Sequence, residues 1–464
     1  MFMHLLSTLN DQFLGYILMA SLVAAGIYFT VASRFVQFFR PKTILSLLTQ
    51  STSSSRHISP FQAFAISTAS RVGTGNIAGV ALAITLGGPG AVFWMWLIAV
   101  FGAASSFIES TLAQIYKVPT AGHFRGGPAY YMQYALGKRK LAIAFSVIIT
   151  LTFAFTFNSV QANTIAQSLQ TTFHFPLALT GFLLTAFTAL IIFGGLRRIA
   201  KFSAVIVPVF ALGYIVLTLL VMSLNFSKLP GIFALIFTDA FSWQNVAGGT
   251  LGATMMMGAR RGLFSNEAGM GSAPNAAATA NTSHPVKQGY VQAFGVFVDT
   301  LIICSCTAFI VLLTDYQSFS SQGIALTQQA LTQELGSFGN YFLTASVLLF
   351  AFTSIIGNYY YGQANVEFLT TQKTPIFLFR AGVCAMIFLG SVAQLGLVWN
   401  LADLFMSIMA LMNLYAIFRL RKQALDTLAD YRLQIRKGVD PRFDPSRVPS
   451  VGKTYAWHTH TNHP

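Results

Sequence analysis

Apolar runs of about 20 residues, each long enough to cross a bilayer, recur along almost the whole chain. They fall at about 14–33, 61–86, 92–116, 142–170, 178–194, 202–223, 244–268, 288–314, 340–368, 376–394 and 400–418. In hydrocarbon each segment must satisfy its own backbone N–H and C=O groups, so runs of this length predict helices. The expectation is an all-α membrane protein of eleven spans. Charge density agrees. Only 9% of the 464 residues are charged, against about 25% in soluble domains.

A net charge of +15 would suit a nucleic-acid binder, but its distribution argues otherwise. The basic residues gather in alternate loops: Arg34, Arg40, Lys42 and Arg56, then Lys117, Arg125, Lys138, Arg139 and Lys140, then Arg197, Arg198 and Lys201. Arg260, Arg261 and Lys287 follow around the seventh span, then Lys373, Arg380 and the tail, with Lys228 on the other side. By the positive-inside rule the N-terminus is expected outside and the C-terminus in the cytoplasm. Met1 to Gln12 has no basic n-region, so the first span is expected to stay as an anchor. Cys304, Cys306 and Cys384 lie in apolar spans without C-x-x-C spacing and read as packing residues. The tail after Arg419 reads as a basic surface helix to about Lys437 and then a solvated polar end, with lipid-surface binding as the rival reading. His458, His460 and His463 in that end are a weak metal candidate.

The second span contains Ser70-Arg71-Val72-Gly73-Thr74-Gly75-Asn76-Ile77-Ala78-Gly79. Glycine weakens a helix by about 1 kcal/mol relative to alanine, and an intramembrane charge must face protein or water. The stretch therefore reads as an unwound segment lining a cavity. A break exposes carbonyls from the half-helix before it and amides from the half-helix after it, suited to a cation and a carboxylate respectively. Ala268-Gly269-Met270-Gly271-Ser272-Ala273 in the seventh span repeats the pattern, and the two spans run in opposite directions. Setting aside residues 1–60, the chain divides into two five-helix sets of opposite topology, 61–224 and 225–418, followed by a basic tail, 419–464. Interrupted helices at matching places in inverted halves mark a binding site at mid-membrane.

Polar residues elsewhere in the spans extend the candidate site. In the seventh span Phe264 can cover a ligand and Asn266 can hydrogen-bond it; the rival reading is an ion-pair cluster of Arg260, Arg261 and Glu267 at the cytoplasmic end. The break there falls at 262–266 or at 269–272. In the fourth span Asn158 and Gln161 share a face, and Gln161 either joins helices or touches substrate. In the ninth, Thr353 and Ser354 either bond back to a carbonyl or complete an oxygen cage for a hard cation. Of the intramembrane acids, Asp299 is the first choice as partner for Arg71, Glu109 and Glu367 read as structural, and Asp403 completes the set. The chain has no Walker loop, metal-ligand set or nucleophile elbow, and Gly73-Thr74-Gly75 does not follow a strand, which argues against a pump, a dinucleotide fold or an enzyme.

Several stretches resemble the alanine or glycine:cation symporter family: Ser70 to Val80, Gly87-Gly88-Pro89-Gly90 to Trp96, Phe124-Arg125-Gly126-Gly127-Pro128-Ala129-Tyr130-Tyr131, Val160 to Asn163, Arg261 to Pro274, and Asp299-Thr300. The resemblance covers about residues 10–420. It implies sodium- or proton-coupled uptake of small amino acids, chiefly alanine and glycine, with some members similar to glutamine carriers. It also implies the leucine-transporter fold, with one extra N-terminal helix before a ten-helix inverted repeat. In that fold Val72-Gly73-Thr74-Gly75-Asn76 is the site itself. The amides of Thr74 and Gly75 would take the substrate carboxylate. The carbonyls of Ala69 and Val72, with the hydroxyls of Thr353 and Ser354, would hold sodium. No cofactor is implied. Two departures bear on this. Asn358 stands where family members often carry tryptophan, which puts alanine specificity in doubt. Arg71 stands where sodium-coupled relatives use a neutral residue beside a second sodium, which would give one sodium per substrate. Rival readings are a proton-coupled carrier using Asp299 or Glu267 and, from another class, a membrane channel or receptor.

Overall fold

Helices build nearly the whole molecule. The computed structural model describes residues 14–38, 58–120, 123–192, 196–242 and 251–457, with isolated positions 8, 10, 44 and 46–48. His458, His460 and His463, the loop bases Arg40, Lys42 and Arg56, and the opening of the seventh span (244–250) lie outside the described residues.

The chain begins with α1 (Gly15–Ala32). The broken second span is α2 (Pro60–Arg71) and α3 (Val80–Gly87), joined through a wide π-helical turn at Gly75–Gly79. Ser59 and Gln62 form a capping box at the start of α2, with Pro60 where its missing N–H costs nothing. Then come α4 (Ala91–Ile115), a short hairpin of Val118–Thr120 with His123–Arg125, and α5 (Pro128–Tyr134), which opens on Pro128. Helices α6 (Arg139–Ile149) and α7 (Asn158–Phe173) are joined by a second π-helical stretch, Thr150–Phe157. They are followed by α8 (Leu177–Ile192) and α9 (Leu196–Leu224). The sequence reading did not anticipate α10 (Leu229–Ala240), which leaves α9 at 82°.

The second broken span is α11 (Leu251–Asn266) and α12 (Ala273–Ala277). Next, α13 (Pro285–Phe297) and α14 (Ser305–Leu312) flank a third π-helical stretch, Val298–Cys304. Helix α15 (Ile324–Leu369) carries a sharp kink at Gly336, so the ninth span has an extra leading segment. The chain ends with α16 (Lys373–Val392), α17 (Leu395–Arg419) and α18 (Arg421–Arg436).

Among the described residues seven helices are long and apolar enough to cross a membrane, or eight with the bent α9–α10 pair. Phe182, Leu190, Val216 and Phe377 are 60–69% exposed as bare apolar side chains on the outer helices. Surface of that kind would drive aggregation in water but suits lipid. The chain is a multi-pass membrane protein. Inside, α4 packs along α13 and α11, while α15 and α16 pack along α7. These contacts hold the two broken spans against each other at the centre.

The tail departs from the expected solvated end. Beyond α18 it folds back on the ends of α4 and α13. Asp440 pairs with Lys287 at 2.6 Å, Phe443 N–H donates to Ser283 O at 2.9 Å, and Trp457 Nε1 donates to Gln114 O at 2.8 Å. His284, fully buried at the head of α13, lies 3.2 Å from Asp430 of α18. Burial, aided by the Lys287 charge, outweighs Asp430 and Asp440 and holds the His284 pKa below its ordinary 6.5. A histidine with a lowered folded pKa binds its proton more readily once released. Tail docking is therefore complete above about pH 6.5 and loses up to about 1.4 kcal/mol per pH unit as pH falls below it. Hydrogen exchange of residues 437–457, corrected for intrinsic rates, should quicken between about pH 7.5 and about pH 5.5. His284→Asn should remove the pH dependence.

Candidate functional site

The first break begins where α2 makes its last backbone bond, Val72 N to Thr68 O at 2.8 Å. Val72 then leaves helical geometry at ψ 87°. The freed amides find side chains. Gly73 N–H donates to Asn76 Oδ1 at 2.9 Å, and Thr74 N–H donates to Gln161 Oε1 at 3.0 Å. The freed carbonyls converge on Ser354. Its Oγ lies 2.8 Å from Ala69 O, 3.3 Å from Val72 O and 3.0 Å from Phe350 O. One hydroxyl hydrogen serves one carbonyl at a time, so four oxygens from α2 and α15 meet in one place. Such all-oxygen sets suit hard cations. A methyl group at Gly73 would collide with Ser354 Oγ, so the approach of α15 to the break requires glycine there. Thr353 Oγ1 instead donates to Phe350 O at 2.9 Å within its own helix.

The second break lies at 267–272, immediately after α11, and Glu267, Gly269 and Gly271 take left-handed φ of 57°, 80° and 86°. The turned amides of Gly269 and Gly271 donate to the Glu109 carboxylate at 3.2 and 3.0 Å, and Asn413 Nδ2 adds a third bond at 2.6 Å. Two successive glycines at positive φ make a concave nest of N–H groups, and here a carboxylate of the protein itself fills it. Glu109, read from its position as merely structural, thus shapes the second break. Asn266 donates to Thr300 Oγ1 at 3.1 Å and accepts from Ala268 N–H at 3.0 Å, so both ends of its amide hold the break.

Two further acids tie the breaks together. Glu267 accepts from Ser70 Oγ of the first at 2.7 Å and from Ser272 Oγ of the second at 2.6 Å. Asp299, on the third π-helical stretch, accepts from Asn76 Nδ2 and Ser265 Oγ, both at 2.7 Å, and from Thr300 Oγ1 at 3.0 Å. Arg71, 2% exposed, donates to Gln292 O at 3.3 Å and Ser106 Oγ at 3.5 Å and acts electrostatically on Glu109, Glu267 and Asp299 together. Asp299, the first choice as partner, is thus one of three acids that share the guanidinium charge, and three amide and hydroxyl donors also occupy it. One guanidinium and three carboxyl groups therefore share a single buried cluster beside the two breaks.

Ser70 also lies 2.6 Å from Asn358 Oδ1, and its one hydrogen cannot serve both that atom and Glu267. A half-turn of the Asn358 amide exchanges Oδ1 and Nδ2, so that Asn358 donates to Ser70 and Ser70 to Glu267. The buried end of Asn358 that has no partner in the described structure is then an acceptor. Thr74 Oγ1 is likewise buried without a partner. Unpartnered buried polar atoms beside a break are what a polar ligand would use.

An aromatic layer covers the break. Phe264 packs on Gly75, with ring centroids 4.3 Å from Phe157 and 4.6 Å from Trp399. Arg261 lies over Trp399 at 4.4 Å and pairs with Asp403. A cavity of about 290 Å³, lined by Leu82, Arg260, Arg261, Trp399 and Asp403 among others, opens beside this layer. The expected cluster of Arg260, Arg261 and Glu267 does not form: Arg260 donates to Asn10 O, Arg261 pairs with Asp403, and Glu267 serves the two breaks. Glu367 pairs with Arg125 at 2.5 Å, as a structural acid would. Trp399 and Ser70 were not singled out in the sequence; one lies in an ordinary apolar run and the other looks like any small helical residue. No group of three or more His, Cys, Asp or Glu able to hold a metal occurs among the described residues.

The sodium:alanine symporter family matches residues 1–445. A probable sodium/glutamine symporter of Bacillus subtilis (strain 168) is 52% identical over 95% of this chain and 93% of its own length. An amino-acid carrier protein of the same organism is 47% identical over 98% of each. A sodium/alanine symporter of Methanococcus maripaludis is 36% identical over 90% of this chain and 95% of its own. Among solved structures, a manganese transporter of Eremococcus coleocola has a TM-score of 0.52 at 13% identity, over 87% of this chain and 86% of that one, a likeness of fold alone. These relatives are transporters, not enzymes, and the chain belongs to the sodium:alanine symporter family.

Proposed function

We propose that the chain carries a small neutral amino acid into the cell with sodium, by alternating access at the two breaks. The convergence of Ser354 Oγ with the carbonyls of Ala69, Val72 and Phe350 carries this reading. A dehydrated sodium ion there would exchange water for fixed oxygens. The substrate carboxylate would meet the amides of Thr74 and Gly75, with Gly73 and Asn76 shaping the turn. Gln161 now occupies the Thr74 amide, so it would move aside or follow the carboxylate on binding. Phe264 would close over the substrate. Asn266 would fix the second break, and Asn358 would take a polar substrate group. Alanine and glycine fit this outline. Glutamine is the second choice, favoured by the unpartnered Asn358 amide and by the 52% identity to a probable sodium/glutamine symporter.

The proposed architecture is the leucine-transporter fold. Counting each broken span once, and adding α8 and α9, extends the seven long helices to eleven. The first is the extra N-terminal helix, and 61–224 and 225–418 are the inverted halves. The N-terminus would lie outside and the tail in the cytoplasm, at the inner membrane.

Radiolabelled alanine uptake into proteoliposomes, challenged by glycine, serine and glutamine with sodium or choline outside, tests the function. Sodium-dependent accumulation against a gradient supports it. Equal uptake in choline favours protons carried by Glu267 or Asp299, and flux without accumulation favours a channel. Because Arg71 supplies a fixed positive charge at the first break, the expected flux ratio is one sodium per substrate; a ratio of two would refute that role.

A further inference from the structure

Where α1 ends, it and the tail enclose a basic groove away from the two breaks. The cavity there measures about 810 Å³, within the range of small-molecule sites. One wall is the end of α1, with Arg34. The other is α18 and the segment after it, with Arg432, Arg436 and Arg447. Two acids, Asp426 and Asp430, share the lining, so four positive charges against two negative leave +2. Asp430 is further engaged by His284 at 3.2 Å and Gln434 at 2.8 Å.

The groove has a built framework. Arg34 and Phe35 both take left-handed φ, 54° and 55°, turning the chain at the end of α1, with Phe35 N–H donating to Thr30 O at 2.7 Å. Arg432 donates to Ser33 O at 2.8 Å, fixing α18 against that turn. Arg34 and Arg436 remain exposed, and Arg447 is 50% exposed with only a long 3.9 Å contact to Asp444. Ala32 is the last residue of an apolar helix, so the groove opens at headgroup level. Beside it Val31, Phe35 and Leu433 are 62%, 57% and 51% exposed, apolar surface on which acyl chains can lie.

We propose that this groove binds the phosphate of an anionic phospholipid headgroup, clamped between the end of α1 and the tail. Guanidinium groups present paired N–H donors matched to phosphate oxygens. A zwitterionic lipid carries the same phosphate, but its own ammonium group would compete for it. A bound lipid would bridge α1 and α18 and fasten the tail to the membrane.

Native mass spectrometry of the full chain in mixed micelles of phosphatidylglycerol or phosphatidylcholine tests this, alongside thermal unfolding. The wild type should retain phosphatidylglycerol preferentially and be stabilised by it. Each arginine at a membrane surface is worth about fivefold in affinity, so Arg34→Gln with Arg436→Gln should weaken retention about twenty- to thirtyfold. Arg34→Lys with Arg436→Lys, which keeps the charge, should stay within about fivefold of wild type. If the glutamine pair does not fold, Arg447→Gln alone should weaken retention about fivefold. Equal retention of both lipids, or an unchanged preference in the glutamine variants, overturns the proposal. So does stabilisation by inorganic phosphate alone, without a lipid effect, which would assign the groove to a soluble ligand.

Discussion

Replacing Ser354 with alanine is expected to raise the sodium concentration for half-maximal uptake by about ten- to a hundredfold, the value of one hydrogen-bonding group on a charged ligand. The substitution removes the side-chain oxygen at the point where the Ala69, Val72 and Phe350 carbonyls meet. Thr353→Ala should cost at most about fivefold, because its hydroxyl bonds only to Phe350 O within α15 and a neutral back-bond contributes little. The two neighbours are therefore unequal, although the sequence presents them as a pair. Substrate binding at saturating sodium should change little in either variant, which separates loss of the cation site from collapse of the break. Sodium titrations of uptake and of substrate-induced thermal stabilisation supply both readings. A larger shift for Thr353→Ala than for Ser354→Ala would move the cation site away from the Ala69 and Val72 carbonyls.

How much of this was legible beforehand depends on how local each feature is. Apolar length is a local signal, and it located the seven long apolar helices among the described residues. The first break was legible because Gly73, Gly75 and Arg71 violate the chemistry of a lipid-facing helix within five residues. The second was only bracketed. Ser265-Asn266-Glu267 offers good helix-ending residues and Gly269-Met270-Gly271 offers glycines. What decides is Glu109, far away in sequence, which draws the amides of Gly269 and Gly271 onto its carboxylate. That Arg71 acts on Glu109 and Glu267 as well as on Asp299 was hidden for a related reason. Depth along a helix selects Asp299 but cannot show that Asn76, Ser265 and Thr300 already surround it. The docked tail was invisible because single long-range contacts, such as Asp440 on Lys287 and Trp457 on Gln114, leave no periodicity. Asn358 was singled out through the family resemblance; its link to Glu267 through Ser70 required the fold.

Glu267→Gln is expected to cut the maximal rate of uptake at least about tenfold while leaving the sodium requirement within about threefold of wild type. Glu267 places one carboxylate oxygen on each broken span, with Ser70 on one side and Ser272 on the other. An amide keeps one acceptor and presents a donor in place of the second. It also removes a unit of negative charge from a buried cluster that holds the Arg71 guanidinium. Breaking up buried charge of this kind costs about 3–5 kcal/mol where one partner is left uncompensated; two other carboxylates share Arg71, so the chain should still fold. Under the proposed alternating access both broken spans move in register, and the rate should suffer because Glu267 helps to join them. A double-mutant cycle on Ser70→Ala and Ser272→Ala isolates that link: if Glu267 couples the breaks, the two losses should fall short of additivity by about 0.5 kcal/mol or more. The same variant separates sodium from proton coupling. In a sodium carrier Glu267→Gln remains sodium-dependent and slow at every pH. In a proton carrier that uses this acid, net uptake driven by a pH gradient disappears, while exchange of substrate across the membrane continues.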